Sequence, residues 1–422
     1  MMRRAVWASV GSSSSDDDKN QQRMDSFVTE NNLIPTFSHA ERDRRWNLVR
    51  RVMAEEKLDS LIAFPNQGRF EQLQANTRYL TQIGGFATEV ALVFPLAHEV
   101  TAFLQTPRDI AFWSGAQSWI KDLRGTRRLW GEAVINRLRE LPIRRVGVIG
   151  LKGLRRAPEG VVPWLMFEKV KDAFPQVEFI NATEIILQAR AVKSAEEIAF
   201  IQKAEDIGEK MCESLFATAR CGIPENRIYA AMVETLLAEG GELPTMIYWS
   251  CGPKLGRAHL VPTTRPLQRG DILSNEIEAK YGGYIAQVAA PAVVGPIPDE
   301  HRKLFEAAAD AFKLLCPLIR PGARISDVGR AYLDALAALG YGAATWPFHG
   351  RGLGDDLPVM PNAAAASDAI FEEGNVIVLK PGLAPKGDED AAERAGDTVV
   401  VTKDGAQRLG KRPFQIVEIP AG

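Results

Sequence analysis

The side chains with the most chemical reach lie in the C-terminal half: His259, Glu276 and Glu278, Tyr284 and Gln287, His349 and Lys380. An imidazole titrates near pH ~6.5, so it takes up and returns a proton close to neutrality, and His259 is the candidate general acid/base. Glu276 and Glu278 stand two apart in an extended segment flanked by Ile272, Leu273 and Ile277, which turns both carboxylates to one side. One can orient a histidine while the other hydrogen-bonds a substrate. Tyr284 and Gln287, on the next stretch, are candidate substrate contacts. Lys380 ends the apolar run Val376 to Leu379, and a lysine buried there needs an anionic partner. His349 opens the run His349-Gly350-Arg351-Gly352-Leu353-Gly354, which lacks the spacing and the Lys-Ser/Thr end of a phosphate loop.

Five stretches carry these residues: Gly270 to Glu278, Gly282 to Gln287, His349 to Gly354, Glu373-Gly374 to Lys380-Pro381-Gly382, and Arg394-Ala395-Gly396-Asp397-Thr398. Their order and spacing resemble the pita-bread family of Xaa-Pro aminopeptidases, prolidases, methionine aminopeptidases and creatinases, over about residues 37–422. The resemblance assigns Glu276, Gln287, His349, Lys380 and Gly396 to slots where the family's metallopeptidases carry Asp, Asp, His, Glu and Glu and hold two divalent ions. Here Gln287 is neutral, Lys380 is cationic and Gly396 has no side chain. A metal pair needs several anionic oxygens, so the expectation is a site with no metal and no cofactor. The same resemblance sets Lys380 beside Glu276, where the two charges cancel.

The segment Arg257 to Pro262 resembles the one that brings a histidine to substrate in Xaa-Pro aminopeptidases and in metal-free creatinase, which supports His259 as proton carrier. Creatine itself is disfavoured, because Lys380 takes the slot of the creatinase residue that grips the guanidinium. The expected function is a metal-independent hydrolase that cleaves a C–N or related bond in a small neutral or anionic molecule. Glu276, His349 and Lys380 would join His259 in catalysis, and Glu278, Gln287 and Tyr284 would bind substrate. Three alternatives stand beside it: a lyase acting by β-elimination on a small organic acid, a metal-dependent Xaa-Pro peptidase using acids such as Asp388, Glu389, Asp390 and Glu393, and a binding module without catalysis. The resemblance also implies a homodimer with the N-terminal domain near the other subunit's site.

Composition bounds these readings. The 422 residues are 46% hydrophobic and 25% charged, enough for two substantial cores. A net charge of -2 gives no sign of nucleic acid or membrane as partner. The four cysteines have no metal-binding or paired spacing and are expected to be reduced, in a cytoplasmic protein. Residues 1–36 read as a disordered tail or leader, with Ser12 to Ser15 and Asp16 to Asp18 following an apolar stretch too short for a secretory core.

Residues 37–183 alternate helices with short apolar strands, at Ser60 to Phe64, Val90 to Phe94, Val100 to Leu104, Val146 to Ile149 and Val177 to Ile180, after an amphipathic helix over 41–57. This predicts an α/β domain of creatinase type. The resemblance implies that residues 184–422 form an α+β pita-bread domain. Ser194 with Glu197 marks a helix start, and Gly222 to Gly240 and Gly322 to Gly340 look like two copies of one unit. Of the five histidines, His39, His98 and His301 are assigned to the surface.

Overall fold

The computed structural model describes residues 34–66, 74–152, 159–254, 261–358, 369–388 and 391–421. The tail reading of residues 1–36 falls almost wholly outside these. Helix α1 (His39–Glu55) starts where Ser38 accepts the Glu41 amide, and it buries Val49 and Met53, one turn apart. Strands β1 (Ser60–Ala63), β2 (Ala91–Pro95), β3 (Thr101–Leu104), β4 (Asp122–Gly125), β5 (Arg145–Ile149) and β6 (Glu178–Asn181) form one sheet in the order β4-β3-β2-β1-β5-β6. The central pairs β1/β2 and β2/β3 are antiparallel, while β1/β5 and β5/β6 are parallel. Five of these strands match the apolar runs in the sequence. The sixth, β4, reads Asp-Leu-Arg-Gly and has no apolar run to announce it, because an edge strand needs only its backbone and one apolar contact.

Helices α2 (Ala75–Thr81), α3 (Pro107–Ala116), α4 (Trp130–Arg139), α5 (Trp164–Ala173) and α6 (Thr183–Ala191) surround that sheet. Helix α7 (Ala195–Thr218) then opens on the full capping box of Ser194 and Glu197. It pairs with α8 (Glu225–Ala238) behind a second sheet of β7 (Ile247–Gly252), β8 (Ile272–Tyr281), β9 (Tyr284–Val288), β10 (Ala292–Val294) and, from the far end of the chain, β18 (Val417–Ile419).

The second copy of the unit is α9 (Asp299–Leu315) with α10 (Ile325–Leu339). It backs β11 (Tyr341–Thr345), β12 (Phe348–Gly350), β13 (Val376–Leu379), β14 (Gly382–Pro385), β15 (Glu393–Arg394), β16 (Asp397–Thr402) and β17 (Gly405–Arg408), arranged as β11-β14-β15 and β12-β13-β16-β17. The duplication extends to individual hydrogen bonds. Gly222 and Gly322, at φ +86° and +83°, donate to the carbonyls of Leu267 and Phe371, and Ile223 and Ala323 accept the returning amides of the same two residues.

The two halves of the chain share a core that runs from Val49 and Leu61 through Tyr79 to Tyr284, Leu353 and Val400. Buried ion pairs pin the junction. Arg78 grips Glu242 with both terminal nitrogens at 2.8 and 2.7 Å, and Asp356 sits between Arg190 and Lys193. The site-bearing sheets are thereby held at fixed distance from the N-terminal layer.

Candidate functional site

Strand β8 is buried along nine of its ten positions, so its polar residues point into protein on either face. Glu276, Glu278 and Lys280 alternate onto one face, and the register Glu278↔Gln287 brings Gln287 of β9 to that same face. Strand β13 ends at Leu379, and Lys380 follows it toward β8. Its Nζ donates to Glu276 Oε2 at 2.5 Å, the partnership the sequence reading required. Gln287 Nε2 donates to the same oxygen at 2.5 Å. His349, on β12 and in register with Val378, is close enough for its charge to bear on Glu276, and its Nδ1 lies 3.2 Å from the Gly350 carbonyl.

One residue of the group was not anticipated as a site member. Arg394 Nη1 donates to Glu276 Oε1 at 2.8 Å, so the carboxylate holds a cation on each oxygen. The group carries one positive charge in surplus when His349 is neutral, which corrects the expectation that Glu276 and Lys380 simply cancel. A signal was present: Arg394 stands two residues before Gly396 in extended chain and so shares its face. Burial alone would raise the Glu276 carboxyl, but the charges of Lys380 and Arg394 outweigh it and hold it far below the usual carboxylate range. Glu276 is thus held as a fixed anion, which leaves proton transfer to another group.

Gly396 explains how Lys380 fits. A Cβ at 396 would lie 2.7 Å from Lys380 Cβ and 3.3 Å from its Cα, closer than side chains approach. The backbones have closed over the position that the family motif reserves for an acid. At the next rung, Glu278 pairs with Arg351, which also holds Asp355, so this end of the face carries the opposite surplus. Among the described residues, Glu278 Oε2 and Gln287 Oε1 as acceptors and Arg394 Nε as a donor are buried with no partner. A ligand or water must satisfy them, since a buried polar group left alone costs about 1–3 kcal/mol.

The other expected site residues fare differently. Tyr284 lies on β9 with the opposite parity to Gln287, on the helix-backed face, and donates its hydroxyl to Glu197 at 2.7 Å. It is part of the interdomain core and is not brought to the Glu276 group. His259 lies outside the described residues. One surface assignment is corrected: His301 is buried, with its Nε2 2.5 Å from Oε2 of the equally buried Glu393, because α9 packs its apolar face against β15. His39 and His98 are on the surface as expected.

Two divalent ions do not fit this arrangement. Both oxygens of Glu276 are engaged by cations, and an arriving positive charge would be opposed by about 4 kcal/mol per unit charge at 4 Å under an effective dielectric of ~20. Among the described residues no group of three or more His, Cys, Asp or Glu side chains is placed to hold an ion. No described helix is long and apolar enough to cross a membrane.

Comparison with known proteins agrees with this architecture. Residues 45–192 match the Creatinase/Prolidase N-terminal domain, and residues 199–403 match metallopeptidase family M24. The chain is 27% identical over 263 residues to an Xaa-Pro dipeptidase of Pyrococcus furiosus, covering 61% of this chain and 74% of that one. It is also 27% identical over 266 residues to a creatinase of a Bacillus species, covering 58% and 63%. The X-Pro aminopeptidase of Thermotoga maritima has the same fold, with a TM-score of 0.74 at 19% identity over 88% of this chain and 99% of that chain. With both halves matched in order, the chain belongs to the pita-bread superfamily, as an M24-family hydrolase with a creatinase-type N-terminal domain.

Proposed function

We propose that the protein hydrolyses a C–N or related bond in a small, net neutral or anionic molecule without a metal ion. The observation that supports this reading is the double cation on Glu276, where Lys380 and Arg394 hold one carboxylate oxygen each and leave one positive charge in surplus. Their surplus charge suits an oxyanion that develops during attack, or a substrate carboxylate, and preorganised charge of this kind acts strongly in a site closed to water. Glu278 Oε2 and Gln287 Oε1 offer acceptors to a substrate N–H at the opposite end. His259 moves the proton in this reading, and His349 stands beside Glu276 as the second imidazole. The relatives named as dipeptidases make dipeptides and small amides the first substrates to try.

A second reading, a metal-dependent Xaa-Pro peptidase, is favoured by those same relatives and by the family match. The two separate cleanly. Protein purified without chelator is assayed for bound metal, and turnover of a dipeptide and small-amide panel is followed with and without chelating agent, alongside His259→Ala. Metal-independent hydrolysis requires turnover that survives chelation and is lost in His259→Ala with the fold intact. Two tightly bound divalent ions per chain, with activity abolished by chelation, would establish the second reading instead.

A further inference from the structure

A cavity of about 250 Å³ lies where the N-terminal layer meets the end of β8, separate from the Glu276 group. Its walls come from both halves of the chain: Arg78 and Phe86 from one, Glu242, Leu243, Pro244 and Lys280 from the other. Arg78 and Glu242 neutralise each other through their two-pronged pair. Lys280 is the remaining charge. It is 8% exposed and stands across a β-bridge from Glu242, whose carboxylate Arg78 already holds, so the three side chains together carry one positive charge in surplus. A surplus charge in a largely buried cluster is costly, and a bound counter-charge would offset it.

The rim points the same way. Phe86 is 65% exposed and Leu243 49%, and Phe86 holds φ at +50°, a conformation that non-glycine residues rarely keep. An exposed aromatic fixed in such a backbone beside an apolar-walled cavity presents a surface for a ligand to cover. The charge count selects the ligand. One surplus positive charge, with Arg78 already satisfied, matches a single negative charge rather than a phosphate dianion, and the apolar walls match a hydrocarbon body.

We propose that this junction cavity binds a small organic carboxylate, its anionic end on Lys280 and its apolar body against Phe86, Leu243 and Pro244. Binding here does not depend on the catalytic reading above. Lys280 shares its strand face with Glu276 and Glu278, at a distance of about 13 Å from Glu276 along the strand, so an occupant would join the two domains beside the site. Burial lowers the Lys280 ammonium to about 8, with Glu242 opposing that shift and Arg78 adding to it. A bound carboxylate restores its counter-charge.

Calorimetric titration of the full chain with phenylacetate tests this, with phenylacetone, which has no C–N bond to cleave, as the neutral isostere. Saturable binding of one phenylacetate per chain is expected, at least about tenfold tighter than phenylacetone. Lys280→Met should weaken phenylacetate about tenfold or more while Lys280→Arg retains it, with unchanged thermal melting showing that each variant is folded. Lys380→Met locates the event: loss of binding there, with Lys280→Met unaffected, would place the carboxylate at the Glu276 group and overturn the proposal while leaving the hydrolase reading intact. Absence of saturable binding by the wild-type chain, or equal affinity for the ketone, would overturn it as well.

Discussion

Replacing Glu276 with glutamine removes one negative charge and almost no volume, and the structure sets the cost. The carboxylate is 5% exposed, with Lys380 Nζ at 2.5 Å on one oxygen and Arg394 Nη1 at 2.8 Å on the other. The amide leaves both cations without a counter-charge. Breaking one buried pair costs about 3–5 kcal/mol. Stranding a second cation pushes toward the top of that range, while the modest solvent access of the Lys380 and Arg394 side chains, 11% and 15%, returns part of it. The expected loss is therefore about 3–5 kcal/mol. Lys380→Met should cost less, about 1–3 kcal/mol, because Glu276 keeps Arg394 and Gln287. The double substitution should cost less than the sum of the two. Urea unfolding read by tryptophan fluorescence and circular dichroism measures all three, with coincident transitions as the check on two-state behaviour. If Glu276→Gln lies within about 1 kcal/mol of wild type, or costs no more than Lys380→Met, the carboxylate is not the anchor of two buried cations and the reasoning fails.

Three further outcomes follow from the same geometry. Gly396→Ala places a methyl 2.7 Å from Lys380 Cβ and should destabilise by about 1–3 kcal/mol, whereas Gly252→Ala, with nothing within 4 Å, should be nearly neutral in the same melts. The Glu276 carboxyl is held below its unfolded value of about 4.3, so its contribution is fully present above that pH and is lost as pH falls toward the folded value; the stability gap between wild type and Glu276→Gln should narrow on acidification below about pH 4.3. Asp356→Asn strands Arg190 and Lys193 at the domain junction and should cost about 3–5 kcal/mol, with faster proteolysis between the two domains; unchanged melting would show that this ion group does not hold the junction.

Local order in the chain was written in the sequence because it depends on neighbours in the chain. Strand periodicity located β1, β2, β3, β5 and β6 to within a residue or so, the pair Ser194 and Glu197 set the start of α7, and the two-residue spacing of Glu276 and Glu278 put both on one face. The motif order also set Lys380 against Glu276, although the two are 104 residues apart. What it could not supply was the rest of the charge pattern. Arg394 reaches Glu276 across 118 residues, and Arg351 takes Glu278 across 73. His301 is buried against Glu393 across 92 residues rather than lying on the surface.

The sequence by itself determined five of the six N-terminal strands, the start of α7 and the duplicated helix units, and its motif order set Lys380 beside Glu276. Only the tertiary structure decided that Lys380 and Arg394 both meet Glu276, that Tyr284 belongs to the interdomain core, and that Lys280 is buried beside Glu242 and Arg78 with one positive charge in surplus. The physical reason is one of range. Backbone preference and amphipathic period act over a few residues and can be read in order, whereas the pairing of buried charges is fixed by which strands and domains pack together, and no local pattern encodes that choice.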